Sequence, residues 1–212
     1  AFLVSSLQAK KSKYSFSQFL KRFSIVKEEM QIDLDEFDLS YYTYGMSIYK
    51  NMPLIEPLET KEVKKIYEFV IVLDTSYSIN ENLAKRFISN TYSILSTSNM
   101  FYKSCKVHII QCDDRIRKDD VISNQNEMDQ LLNSFTLVGK GNTDFRPVFS
   151  YVNDLINQKV FQNLCGLLYF TDGKGIYPKK SPAYKTAFIY LEDYDQSKVP
   201  SWAIQYRLEE KL

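Results

Sequence analysis

The sequence is poor in histidine, cysteine and net charge, and each shortage removes a class of function. It has one histidine in 212 residues, His108. An H-E-x-x-H zinc protease needs two on one helix face, so that signature is absent. A Ser-His-Asp or Cys-His site would have to use His108 alone. That residue lies in the strand-like run Lys106-Val107-His108-Ile109-Ile110, where a structural hydrogen bond is the expected role. The three cysteines, Cys105, Cys112 and Cys165, form no C-x-x-C pair. Their odd number argues against a disulfide framework and a Cys-rich zinc site. It favours a reducing compartment, hence a cytoplasmic protein. The 27 basic and 26 acidic side chains leave a net charge of +1, so nothing points to nucleic acid or an anionic membrane. No apolar run approaches the roughly 18 residues of a membrane span. Residues 1–13 lack the basic-then-apolar order of a signal peptide. The first residue is Ala1, which reads as a piece cut from a longer protein.

The rest of the composition is that of a globular protein, 44% hydrophobic and 25% charged. The length suits one domain plus an appendage, at roughly 150 residues per domain. Residues 1–60 read as that appendage and 61–212 as the main domain. Up to residue 34 the pattern is helical and mixed, with Phe16, Phe19, Leu20 and Phe23 at helical spacing. From Asp35 to Pro57 an irregular, aromatic-rich segment is expected, carrying Tyr41, Tyr42, Tyr44 and Tyr49. It is not rich in Gly and Ser or in charge, as a linker would be, so it is expected to pack on its neighbour.

Beyond Lys61 strands and helices alternate. Glu68 to Leu73 is a buried strand, and Glu81 to Thr97 an amphipathic helix. Val107 to Gln111 is a second strand and Arg115 to Ile122 an edge strand. Ser123 is placed to cap a helix carrying Met128, Leu131, Leu132 and Phe135. Another helix starts at Arg146, with Pro147 in its first turn. Gly166 to Phe170 and Thr186 to Leu191 are further strands. This order predicts an α/β fold of βαβ units with a mostly parallel sheet.

In open α/β sheets ligands bind beyond the carboxyl ends of the strands. Three polar clusters fall there: Asp74-Thr75-Ser76-Tyr77-Ser78, Gly139-Lys140-Gly141-Asn142-Thr143-Asp144, and Thr171-Asp172-Gly173. Alone, each matches an ordinary turn or helix cap. Together they offer carboxylates and hydroxyls with no imidazole or thiolate, the ligand set of a hard cation such as Mg²⁺. The glycine loop is not a P-loop, because Ser134 stands at the first glycine position and Gly141 at the Ser/Thr position.

Asp74, Ser76, Ser78, Thr143 and Asp172 resemble the metal-ion-dependent adhesion site of von Willebrand factor A (VWA) domains. In that family the D-x-S-x-S serines bind the metal directly. The Thr and the distant Asp bind directly or through water, and an acidic side chain of a partner often completes the shell. More closely, the chain resembles the VWA-like domain at the C-terminal end of bacterial predicted metal-dependent peptidases, often encoded beside MoxR-type AAA+ ATPases. The matching stretches are Phe37 to Tyr49, Asn51 to Glu59, Asp74 to Ser78, Gln111-Cys112-Asp113, Thr143 to Phe149 and Tyr169 to Gly173. Tyr77 stands where the family usually has Gly, and Asn142 interrupts a loop that is usually glycine-rich.

The resemblance implies a three-layer, doubly wound VWA-like domain with an N-terminal helical and irregular extension. It implies an Mg²⁺ (or Mn²⁺) site and a protein partner supplying a carboxylate, such as an AAA+ ATPase or its substrate. It implies the non-catalytic part of a larger predicted metallopeptidase. Around the metal, Asp113 and Asp144 are candidates for the second shell, and Lys140, Arg146 and Lys174 for a basic rim. Two other readings stay open. One is a metal-dependent phosphoester hydrolase, although Ser76 stands where a D-x-D phosphatase has its acid. The other is a metal-free structural or regulatory module.

Overall fold

The apolar run at 68–73 is the buried end of a much longer strand, Pro57–Asp74. In the computed structural model, residues 16–76, 79–97, 101–139, 141–190 and 194–208 are described, without the side chains of 102–104. The chain divides into two compact units, one of residues 25–65 and one made of the remainder.

The smaller unit holds β1 (Ile25–Phe37), α1 (Leu39–Tyr49) and the first half of β2 (Pro57–Asp74). β1 pairs antiparallel with β2, from Ile25 opposite Lys65 to Phe37 opposite Pro57. Asp38 caps α1, its Oδ1 accepting from the N–H groups of Ser40 and Tyr41 at 2.7 and 3.3 Å. The segment expected to be helical and irregular is therefore a strand followed by a helix. Val26, Met30, Ile32 and Leu34 follow the period of two that a strand requires. Glu28 interrupts that pattern, and Lys, Glu and Asp are poor strand formers. α1 is apolar all round, with no stripe to reveal a helical period. Tyr41, Tyr44 and Tyr49 are exposed.

The larger unit is built on a sheet of order β4-β3-β2-β5-β6-β7. Its further strands are β3 (Phe101–Cys112), β4 (Ile116–Ile122), β5 (Leu164–Thr171), β6 (Thr186–Tyr190) and β7 (Ile204–Arg207). β4 is the antiparallel edge strand expected at 115–122, and the other pairings are parallel. β7 is four residues long, too short for its alternation to stand out in the sequence.

Helices cover both faces. Phe69 to Leu73 are fully buried, as a strand between two layers must be. On one face α2 (Glu81–Thr97) stacks Phe87 on Phe170 with ring centroids 4.1 Å apart. The helical stretch at 16–23 packs there too, with Phe23 edge-on to Phe69 at 5.4 Å. Gly166 is a glycine because a side chain would collide with Phe23. On the other face Val148, Phe149 and Val152 of α4 (Arg146–Asn157) join Val70, Val72, Leu167, Tyr169 and Phe188 in one core. α3 (Gln125–Ser134) is capped by Asn124 and not by Ser123. Asn124 Oδ1 accepts from Glu127 N at 2.9 Å, and Glu127 Oε2 reaches back to accept from Ser123 N, one residue before the cap, at 2.7 Å.

The single histidine has a structural position. His108 is buried, its Nδ1 lies 3.0 Å from Asp119 Oδ2, and its ring packs on Phe161. The three cysteines are free and buried.

Candidate metal centre

β2 and β5 are neighbours whose chains leave in opposite directions. β2 leads through α2 to β3 on one side, and β5 leads to β6 on the other. A crevice opens at such a reversal, beyond the carboxyl ends of the strands. Asp74 is the last residue of β2, and Thr171 the last of β5.

Asp74 is fully buried. Its Oδ2 accepts from the Thr171 hydroxyl at 2.7 Å and its Oδ1 from Ser76 N at 2.9 Å. Burial pushes its carboxyl up to about 6, against the lowering by those two hydrogen bonds, and the charge of Asp172 adds to the rise. Asp172 is also buried, its Oδ1 accepting from Lys174 N at 3.0 Å and its Oδ2 lying 3.6 Å from Lys174 Nζ. Thr171 is a residue that the D-x-S-x-S pattern does not reveal. Its hydroxyl donates to Asp74 and accepts from Gly173 N at 3.0 Å, which fixes the orientation of the Asp74 carboxylate.

The loop before α4 comes to the same edge. Asp144 N donates to Asp113 O at 3.0 Å and Phe145 N to Ile176 O at 3.1 Å. Thr143 and Asp172 line one cleft of about 530 Å³. Of the five predicted ligands, Asp74, Ser76 and Asp172 are buried at the strand ends and Thr143 lies on the adjoining loop. Ser78, Tyr77 and Lys140 lie outside the described residues.

Asp113 follows β3 at this edge and is fully buried. Its carboxylate is already committed, accepting from Arg117 Nε at 2.8 Å and from the N–H groups of Asp114 and Arg115 at 2.7 and 3.2 Å. Burial raises the Asp113 carboxyl, but these donors outweigh it and hold it well below the usual carboxylate range. The glycines of the 139–141 loop are explained by this carboxylate. A Cβ on Gly141 would lie 2.9 Å from Asp113 Oδ2, and one on Gly139 would strike the Thr75 hydroxyl. Gly139 also has a φ of 145°, which disfavours any side chain. Asp144 Oδ1 accepts from Arg146 N at 3.0 Å, and its carboxylate is gripped by the Arg146 guanidinium, which lowers its pKa. It therefore supports the start of α4 from one residue before the cap position, Phe145. Lys174 is an exposed rim residue.

Among the described residues, no group of three or more His, Cys, Asp or Glu side chains is placed to hold a metal ion. The predicted donor set has two carboxylates, so a site here would depend on hydroxyls. Asp74 supplies the test of fit. A carboxylate sealed from water needs compensating charge, and among the described residues no basic side chain is paired with Asp74. A hard divalent cation taking oxygens from Asp74, Asp172 and neighbouring hydroxyls suits this donor chemistry.

The sequence over 69–209 matches the VWA-like domain family (DUF2201), and the chain belongs to that family. No curated protein resembles it closely enough to count as a relative. Among solved structures it is similar to a von Willebrand factor type A protein from Catenulispora acidiphila. The identity is 8% over 71% of this chain and 40% of that one, with a TM-score of 0.48. It is similar to the SpRpn10 VWA domain at 9% identity, 69% and 91% coverage and TM-score 0.48. Proximal thread matrix protein 1 from the mussel byssus, whose metal-ion-dependent adhesion site is occupied by zinc, is 11% identical. That match covers 69% of this chain and 42% of the mussel protein, with a TM-score of 0.45. The chain thus spans less than half the length of two of these proteins. No helix among the described residues is long and apolar enough to cross a membrane.

Proposed function

We propose that this chain is a divalent-cation-dependent protein-interaction domain. In this reading Asp74, Ser76, Ser78, Thr143 and Asp172 hold Mg²⁺, or Mn²⁺ in its place. The observation that carries it is the pairing of two buried carboxylates, Asp74 and Asp172, at the sheet's reversal point, with hydroxyls around them. The bound cation would supply a Lewis-acidic centre that attracts a carboxylate from a partner. The chain's own residues do the rest. Thr171 holds the Asp74 carboxylate in one orientation, and the Asp113–Arg117 clasp stiffens the loop that carries Thr143. Neutral hydroxyl ligands leave part of the positive charge unquenched, so an acidic partner side chain gains from joining the shell.

Membership of the VWA-like family supports an interaction role. The stretches that resemble peptidase-associated VWA-like domains support a finer setting. There the chain is the non-catalytic part of a larger predicted metallopeptidase, and the partner is an AAA+ ATPase or its substrate. Three free, buried cysteines support a reducing, cytoplasmic location.

The test is capture of the associated ATPase by the immobilised domain in Mg²⁺ and in EDTA. The expected result is Mg²⁺-dependent capture that disappears when Asp74→Ala and Asp172→Ala are combined, with circular dichroism unchanged. Equal capture by the folded double variant would end this reading.

A further inference from the structure

The cleft that Thr143 and Asp172 line is larger than one carboxylate needs. At about 530 Å³ it lies within the roughly 300–1,000 Å³ of ligand pockets, room for several residues of an extended peptide. Tyr194, in its lining, is held at both ends. The ring of Tyr194 lies flat on Tyr190, centroids 3.5 Å apart and planes within 12°, and its hydroxyl donates to Gln205 Oε1 at 2.8 Å. Gly173 and Gly175 also line it. Gly173 has a φ of 83°, and a Cβ there would come within 3.0 Å of Tyr190 and Tyr194. A Cβ on Gly175 would lie 2.7 Å from Thr143 Cγ2 and 2.6 Å from the Phe145 ring. Both positions therefore demand glycine, which lets this segment of the lining pack close against Thr143, Phe145, Tyr190 and Tyr194.

The cleft's own charges balance, Asp172 and Asp195 against Lys174 and Lys198, and a bound cation would tip them toward an anion. Two of its carboxylates are occupied. Asp195 caps the short turn at Gln196–Lys198 through Ser197 N and Oγ, at 3.1 and 2.6 Å. Asp172 is one of the residues assigned to the metal. Lys174 and Lys198 extend from the lining with side chains 73% and 71% exposed, within 3.6 and 3.5 Å of Asp172 and Asp195. Contacts this exposed are weak, so both ammonium groups can turn to an incoming carboxylate. With a divalent cation added, Asp74, Asp172, Asp195, Lys174 and Lys198 sum to a positive site.

We infer that this cleft is the second half of the partner site. It seats an extended acidic segment of a protein, with one carboxylate at the cation and a further one facing Lys174 and Lys198. The inference rests on the cation-dependent reading above and adds the class of partner sequence.

Fluorescence anisotropy of labelled hexaglutamate tests it, with hexaglutamine as the uncharged control and Mg²⁺ present throughout. Lys174→Gln/Lys198→Gln should weaken hexaglutamate binding about fivefold to tenfold, the sum of two exposed charge contacts. Lys179→Gln/Lys180→Gln makes the same charge change outside the cleft and should alter it less than twofold. Mg²⁺ uptake by calorimetry should persist in all three proteins and should tighten, not weaken, in Lys174→Gln/Lys198→Gln, because the ammonium beside Asp172 is gone. Equal losses in the two lysine pairs, or none in the first, would overturn the inference, as would wild-type protein that ignores hexaglutamate. A wild type that takes up no Mg²⁺ would refute the metal reading, and hexaglutamate binding lost with Lys174 and Lys198 would then keep the lysine contact while overturning the carboxylate placed at the cation.

Discussion

Asp74 is sealed from water, so its charge must be met by donors or by a cation. Donors already in place include the Thr171 hydroxyl and Ser76 N. Groups that orient a ligand typically govern metal affinity by 10–100-fold. Thr171→Val keeps the side chain's shape and removes its donor. It is expected to weaken Mg²⁺ binding about tenfold by calorimetry, with the sheet intact by circular dichroism. Unchanged affinity would separate Thr171 from the site. The strand-end positions of Asp74 and Asp172 were legible in the sequence, because a polar residue after a buried apolar run marks a strand's end. Thr171 was not. It stood in view beside Asp172, but only the pairing of β2 with β5 shows that its hydroxyl reaches across to Asp74. Asp113 was legible as a neighbour of the site. Its partner Arg117 was not, since a charge four residues on along a hairpin reads as an ordinary solvated side chain.

At the scale of elements, Asp113 ties the β3–β4 turn to the loop before α4. Its side chain binds Arg117 and two N–H groups of the turn, its carbonyl receives Asp144 N, and Gly141 passes close to its carboxylate. Removing the charge of a fully buried, paired carboxylate strands its partner, so Asp113→Asn should cost about 3 kcal/mol in urea unfolding at pH 7. The pH dependence has a definite sign. The folded-state pKa is depressed, so this stabilisation is present above the ordinary carboxylate value of about 3.9 and is lost as pH falls below it. The gap between wild type and Asp113→Asn should therefore shrink below about pH 4. A gap that stays constant into acid would mean that packing, and not charge, explains the loss. The helices at 81–97 and 146–157 and the buried strands were readable from apolar periodicity, because each faces one core. β1 and α1 were not. β1 has Glu28 breaking the alternation of Val26, Met30, Ile32 and Leu34, whose apolar side chains are exposed, and α1 has no polar face to set its period.

At the scale of the molecule, the larger unit carries the residues proposed to hold a cation and the cleft beside them, and the family match at 69–209 falls within it. A cation that binds only the folded chain stabilises it, by about 2.7 kcal/mol at one hundred times its dissociation constant. The proposed Mg²⁺ uptake can therefore be tested on the folded chain without a partner being identified first. The most direct measurement is calorimetric titration of the metal-stripped protein with Mg²⁺ and with Mn²⁺, beside Asp74→Ala. Saturable binding at one site, absent in a folded Asp74→Ala variant, is the predicted result. No binding by the folded wild type, or equal binding by the variant, would contradict the assignment of a divalent cation to Asp74 and its neighbours.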